Sequence, residues 1–86
     1  MTTDTILAVD ESREIREFIV EPLQATDYEV WPAEDGVQGL KVATVHPEID
    51  LFLMDMNMPN MNGMEIARKI RERQAHKTTK MVFLTT

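Results

Sequence analysis

Apolar and polar positions alternate along the chain with two different periods. Thr5-Ile-Leu-Ala-Val9 is a short apolar run that stops at Asp10-Glu11, too short for a helix and suited to a strand buried on both faces. After it the period lengthens. Ser12 is placed to cap a helix opened by Glu14 and Ile15, and Ile15, Phe18, Ile19 and Leu23 recur at helical spacing as one apolar stripe. Pro22 lies inside that stripe and predicts a kink or an early end near Phe18 to Glu21.

Asp27 marks a turn, and Tyr28-Glu-Val-Trp31 reads as a second strand ended by Pro32. A second helix is predicted from about Glu34 to Val45, with Val37, Leu40, Val42 and Ala43 available for burial. Gly36 and Gly39 weaken it, and His46-Pro47 stops it. Ile49 to Met54 is a third strand ending at Asp55, followed by a loop rich in Asn, Pro and Gly from Met56 to Gly63. A third helix is predicted from about Gly63 to Gln74 with Met64, Ala67 and Ile70 toward the core. Lys80 to Thr85 is the fourth strand. Strands alternating with helices predict an α/β fold, a doubly wound parallel sheet with right-handed crossovers.

The 86 residues allow one domain and a small core. No apolar run approaches the roughly 18 residues that span a bilayer, and no secretory signal is visible at Met1-Thr2-Thr3-Asp4. The chain has no cysteine, which excludes disulfides, thiolate zinc sites and cysteine nucleophiles, and fits a cytoplasmic setting. The net charge of −6 repels a polyanion, so neither direct nucleic-acid binding nor a membrane role is expected.

Charge draws attention to the strand ends. Asp10 and Asp55 each stand at the carboxyl end of a predicted parallel strand, the edge where open α/β sheets bind ligands. As separate residues they are ordinary solvated acids. If the first and third strands are neighbours, Asp10, Glu11 and Asp55 converge in one crevice, and a hard cation relieves their mutual repulsion. Mg²⁺ suits that set, because it takes oxygen ligands and pairs one or two carboxylates with a phosphate oxygen. A carboxylate beside Mg²⁺ can attack a phosphoryl group and form an acyl phosphate. A hydroxyl at the end of the next strand, Thr85, is then placed to bond a phosphoryl oxygen and bias a conformational equilibrium.

Other motifs point to less. Met54, Met56, Met58, Met61 and Met64 form a thioether-rich stretch that can in principle bind Cu(I), set against ordinary packing of Met54 and Met64 in the core. His46 and His76 each stand without a ligand partner at helical spacing and read as surface residues. Arg13, Arg16, Arg68, Lys69, Arg71 and Arg73 read as solvated helix faces. No Gly-rich phosphate loop is present, and Asp55-Met-Asn57 lacks the second acid of an aspartyl phosphatase of the haloacid-dehalogenase type, so no enzyme is expected.

The motifs in order resemble response-regulator receiver domains of the chemotaxis type. Ile6-Leu-Ala-Val-Asp-Glu-Ser12 resembles their first strand and acidic pair. Asp55-Met-Asn-Met-Pro59 with Gly63 resembles the phospho-acceptor loop, and Phe83-Leu-Thr85-Thr86 resembles the strand carrying the switch hydroxyl. The resemblance implies a flavodoxin-like receiver fold with sheet order 2-1-3-4-5. It implies Asp55 as phospho-acceptor, Asp10 and Glu11 as the metal-binding pair with Asp55, the backbone carbonyl of Asn57 as a further metal ligand, and Thr85 as the switch. It also implies Mg²⁺ as cofactor and a sensor histidine kinase or phosphotransfer protein as partner.

Two departures stand out. Glu11 occupies a position where such receivers usually carry Asp, and its extra bond moves the carboxylate outward by about 1.5 Å. The chain of residues 1–86 is read as a partial receiver lacking its last strand and last two helices, with no residue matching the family's fifth-strand lysine. An open fourth strand and uncovered apolar faces then predict self-association by pairing or swapping. The alternative reading is therefore a phosphorylation-independent dimerisation or interaction module, and a third is a small metal-dependent phosphatase.

Overall fold

Every backbone group of β1, Thr5–Val9, is committed to a neighbour, because the strand runs parallel between β2 (Glu29–Ala33) and β3 (Leu51–Asp55). A fourth parallel strand, β4 (Lys80–Leu84), pairs with β3, so the order is β2-β1-β3-β4 in this computed structural model, which describes residues 4–56 and 63–84. The boundaries and complete burial of β1 agree with its unbroken apolar run.

Helix α1 (Arg13–Ala25) covers one face of the sheet, and α2 (Gly36–Val45) and α3 (Gly63–Arg71) cover the other. Strand alternation sorts the core accordingly. Leu7, Val9, Phe52 and Met54 meet Ala43, Ile66, Ala67 and Ile70 on the side of α2 and α3. Ile6 and Ala8 meet Ile19, Val20 and Leu23 of α1 on the other. No helix among the described residues is long and apolar enough to cross a membrane.

Helix starts follow side-chain chemistry. Ser12 Oγ accepts from the Ile15 N–H at 3.3 Å, and an Asp35 carboxylate oxygen accepts from the Gln38 N–H at 2.8 Å. Asp27 takes a positive φ of 65°, a conformation its short polar side chain tolerates. Gly39 sits where an added Cβ would fall 2.8 Å from Val9 Cγ2, so glycine lets α2 lie close on β1. Its propensity cost is offset by that contact.

Several expectations are corrected. Pro22 does not shorten α1, which continues to Ala25. The proline is exposed and lies in the last turn, where Thr26 Oγ1 donates to the Pro22 and Leu23 carbonyls at 2.8 and 3.0 Å. Phe18 leaves the predicted stripe and is 82% exposed, because the half-buried row steps by four from Ile15 through Ile19 to Leu23. Pro32 does not end β2. Glu29 and Ala33 bond β1, so Pro32, one residue out of phase, directs its missing donor off the sheet.

In the third helix the buried row is Gly63, Ile66, Ala67 and Ile70, which leaves Met64 52% exposed. The helix ends at Arg71, and a 3-10 turn, Gln74–His76, follows.

His76 is not a surface residue. Its exposure is 0%, its Nε2–H donates to the Ala43 carbonyl at 2.8 Å, and its ring meets Phe52 edge-on at 5.1 Å. Its Nδ1 lies 3.3 Å from Thr79 Oγ1. Arg71 also departs from a solvated role, donating to the carbonyls of His76, Lys77 and Thr79. His46 stacks on Trp31 at 4.3 Å and sits 2.6 Å from Glu48 Oε1.

Candidate functional site

Two aspartates meet at the carboxyl end of the sheet because of register and phase. Val9 pairs with Met54, so Asp10 and Asp55 occupy the next matching positions on adjacent parallel strands. Both continue the alternation that turns Ile6, Ala8, Leu51 and Leu53 toward the side of α1. The Asp10 N–H donates to the Ala33 carbonyl at 3.1 Å, extending the β1–β2 ladder. Only 2% of Asp10 and 4% of Asp55 remains exposed.

Asp10 is held on three sides. One carboxylate oxygen accepts from the Ser12 N–H at 2.9 Å, and its backbone carbonyl accepts from Arg16 at 2.7 Å. The other carboxylate oxygen, Oδ2, is buried and has no partner among the described residues. Burial pushes the Asp10 carboxyl above its usual range. The Ser12 N–H opposes that shift, the neighbouring Asp55 charge adds to it, and Arg16 again opposes. Arg16 was missed as part of this site, although its position four residues after the cap at Ser12 places it one turn into α1.

The end of β3 is knitted to its surroundings by the backbone. The Met56 N–H donates to the Leu84 carbonyl at 3.2 Å, and the Gly63 N–H to the Met56 carbonyl at 3.2 Å. A Cβ on Gly63 would fall 2.8 Å from the Asp55 carbonyl oxygen and 3.2 Å from Met56 Cα. Glycine is thus the residue that lets α3 begin against the strand that carries Asp55.

The three acids do not all gather. Among the described residues no three carboxylates or imidazoles surround one point, and Glu11 stands exposed outside the pair formed by Asp10 and Asp55. Without a counter-ion, a third carboxylate lowers its energy in water. Asn57 and Thr85 lie outside the described residues, although Leu84, just before Thr85, is paired in register with Asp55.

The donor set fits a small hard cation. A buried anionic oxygen without a donor, beside a second buried carboxylate, is a site that a divalent ion satisfies. Asp10 Oδ2 and Asp55 are the residues present that could hold it, with the exposed Glu11 next along the chain.

Known proteins resemble this chain in sequence and in fold. Residues 6–86 match the profile of the response regulator receiver domain. The chain is 38% identical over 80 residues to the response regulator ArlR of Staphylococcus saprophyticus, covering 93% of this chain and 34% of that protein. It is similar to the chemotaxis protein CheY4 of Vibrio cholerae, with a TM-score of 0.95 and 36% identity over 99% of this chain and 70% of that one. It is also similar to the response regulator protein TrrA of Thermotoga maritima in complex with Mg²⁺ and BeF, with a TM-score of 0.84 and 37% identity over 96% of this chain and 70% of that one. The chain thus spans about a third of the first of these relatives. On this match in sequence and in strand order, the chain belongs to the response regulator receiver domain family of two-component systems.

Proposed function

We propose that this chain accepts a phosphoryl group on Asp55, in a Mg²⁺-dependent step, from a histidine kinase or a phosphotransfer protein. One observation carries the reading. Asp10 and Asp55 stand side by side, both buried, and Asp10 keeps an oxygen with no donor. That arrangement costs free energy unless a cation and a phosphoryl group use it.

The Mg²⁺ complex of the Thermotoga maritima relative supports the choice of ion. When bound, the ion supplies charge neutralisation at the phosphoryl oxygens. The chain's own residues do the rest. Asp55 supplies the attacking carboxylate oxygen, forming a P–O bond as the P–N bond to the donor imidazole breaks. The imidazole keeps the electron pair and takes a proton from solvent. Asp10 Oδ2 and Asp55 would hold the cation, and Arg16 fixes the Asp10 backbone by donating to its carbonyl. Thr85 supplies the hydroxyl that bonds the new phosphoryl oxygen and alters the surface offered to an output partner. The chain is a switch that is modified once per cycle, rather than a catalyst acting on an external substrate.

Incubation with acetyl phosphate and Mg²⁺ followed by intact-mass measurement tests this. The expected result is a gain of one phosphoryl mass, lost with chelator and lost in Asp55→Asn. An unchanged mass under all conditions, or a gain that survives in Asp55→Asn, overturns the reading.

A further inference from the structure

Glu11 differs from its two acidic neighbours in how it is held. Asp10 and Asp55 are buried and fixed at strand ends, whereas Glu11 is exposed and makes no hydrogen bond or ion pair with another described residue. It also has one more rotatable bond than aspartate, which carries its carboxylate about 1.5 Å farther from the backbone. A rigid pair, centred on the unpartnered Asp10 Oδ2, is thus followed directly along the chain by a free acidic arm.

The two common hard cations respond differently to such a site. Mg²⁺ demands a near-ideal octahedron with oxygens at about 2.0–2.1 Å, so an unfixed arm must be ordered at full entropic cost before it serves. Ca²⁺ takes six to eight oxygens at about 2.3–2.6 Å in variable geometry and accepts both oxygens of a glutamate. We infer that Glu11 relaxes the cation selectivity of the Asp10–Asp55 crevice, so that Ca²⁺ competes with Mg²⁺ there. An aspartate at position 11 presents a shorter arm with fewer rotamers and restores the preference for Mg²⁺. The inference deepens the proposed phosphoryl-acceptor reading, since the bound ion sets how readily Asp55 is charged.

The test is a pair of calorimetric titrations, MgCl₂ and CaCl₂ in turn, of the unphosphorylated 86-residue chain, of Glu11→Asp and of Glu11→Gln. The ratio of the Ca²⁺ to the Mg²⁺ dissociation constant is expected to rise about tenfold in Glu11→Asp, the scale on which single groups tune metal sites. In Glu11→Gln, Ca²⁺ binding is expected to weaken more than Mg²⁺ binding. Asp10→Asn is expected to bind neither ion measurably, which locates the heat at this crevice. An equal ratio in wild type and Glu11→Asp overturns the inference, as does a lower ratio in the variant or no binding of either ion to the wild type. No phosphoryl donor is present, so a chain that never accepts phosphate still reveals its preference between the two ions. Equal ratios, conversely, leave phosphoryl acceptance on Asp55 standing.

Discussion

The two ends of the parallel sheet treat polar groups in opposite ways. At the amino end several polar groups are answered from within. Asp50 Oδ2 accepts the Thr5 N–H at 2.9 Å, and the Asp50 N–H returns a bond to the Thr5 carbonyl at 2.8 Å. Arg71 ties down three carbonyls, and His76 bridges α2 to Thr79. At the carboxyl end Asp10 keeps an orphaned oxygen next to a second buried carboxylate. A cavity of about 540 Å³ opens at the amino end, lined in part by Asp4, Tyr28, Asp50 and Lys80, yet the unpartnered carboxylate oxygen is at the other end. Unsatisfied charge, more than empty space, marks the end built to receive something.

Substitutions can break this contrast. The largest effect is expected at the closed end, where His76→Ala should cost about 3 kcal/mol, through a core cavity and the lost bond to the Ala43 carbonyl. Urea unfolding measures it, and a cost no greater than that of a surface change would dissolve the distinction between the ends. At the open end a ligand should do what internal bonds do elsewhere. Mg²⁺ at 100 times its dissociation constant should stabilise the wild type by about 2.7 kcal/mol and leave Asp10→Asn unmoved. Thermal melts with and without the ion decide this.

Next in size is Gly63→Ala, expected to cost about 2 kcal/mol because its Cβ meets the Asp55 backbone. This would show that the open end is tight in its backbone even though Asp10 Oδ2 has no hydrogen-bond partner. The smallest effect has the opposite sign. Asp10→Asn should stabilise the metal-free chain by about 1 kcal/mol at neutral pH by removing a buried, unpaired charge.

The pH dependence of Asp10→Asn follows from the raised Asp10 carboxyl. The folded chain holds that proton more tightly than the unfolded one, so ionisation is what destabilises. The gain should therefore fade below the ordinary carboxylate value of 3.8 and grow as pH rises through the higher folded value. Denaturant midpoints for both proteins at acid and neutral pH test the sign, and a gain that is larger in acid refutes it.

Much of this arrangement was legible in the chain itself, for local reasons. An apolar run of five residues ending in an acid fixed the limits of β1, and Ser12 announced its own cap. The meeting of Asp10 and Asp55 needed only neighbouring first and third strands, which the family resemblance implied. What escaped depends on contacts far along the chain or on helical phase. His76 is internal because a carbonyl 33 residues away accepts its proton, and nothing around position 76 records that. Phe18 and Met64 lie beside the half-buried and buried rows of their helices, a displacement that apolar spacing does not resolve. Pro32 is harmless because β2 is an edge strand, which is a property of the sheet. Glu11 follows Asp10 in sequence but is exposed where Asp10 is buried, since adjacent residues past a strand end need not share an environment.

The stacking of Trp31 on His46 has a practical consequence. Trp31 is the sole indole of the chain, and it lies on the outer strand beside an imidazole that is itself paired with Glu48. Intrinsic fluorescence will therefore report the packing of that flank rather than events in the crevice. A probe for ion or phosphoryl occupancy has to be installed elsewhere, with Trp31→Phe as the dark background.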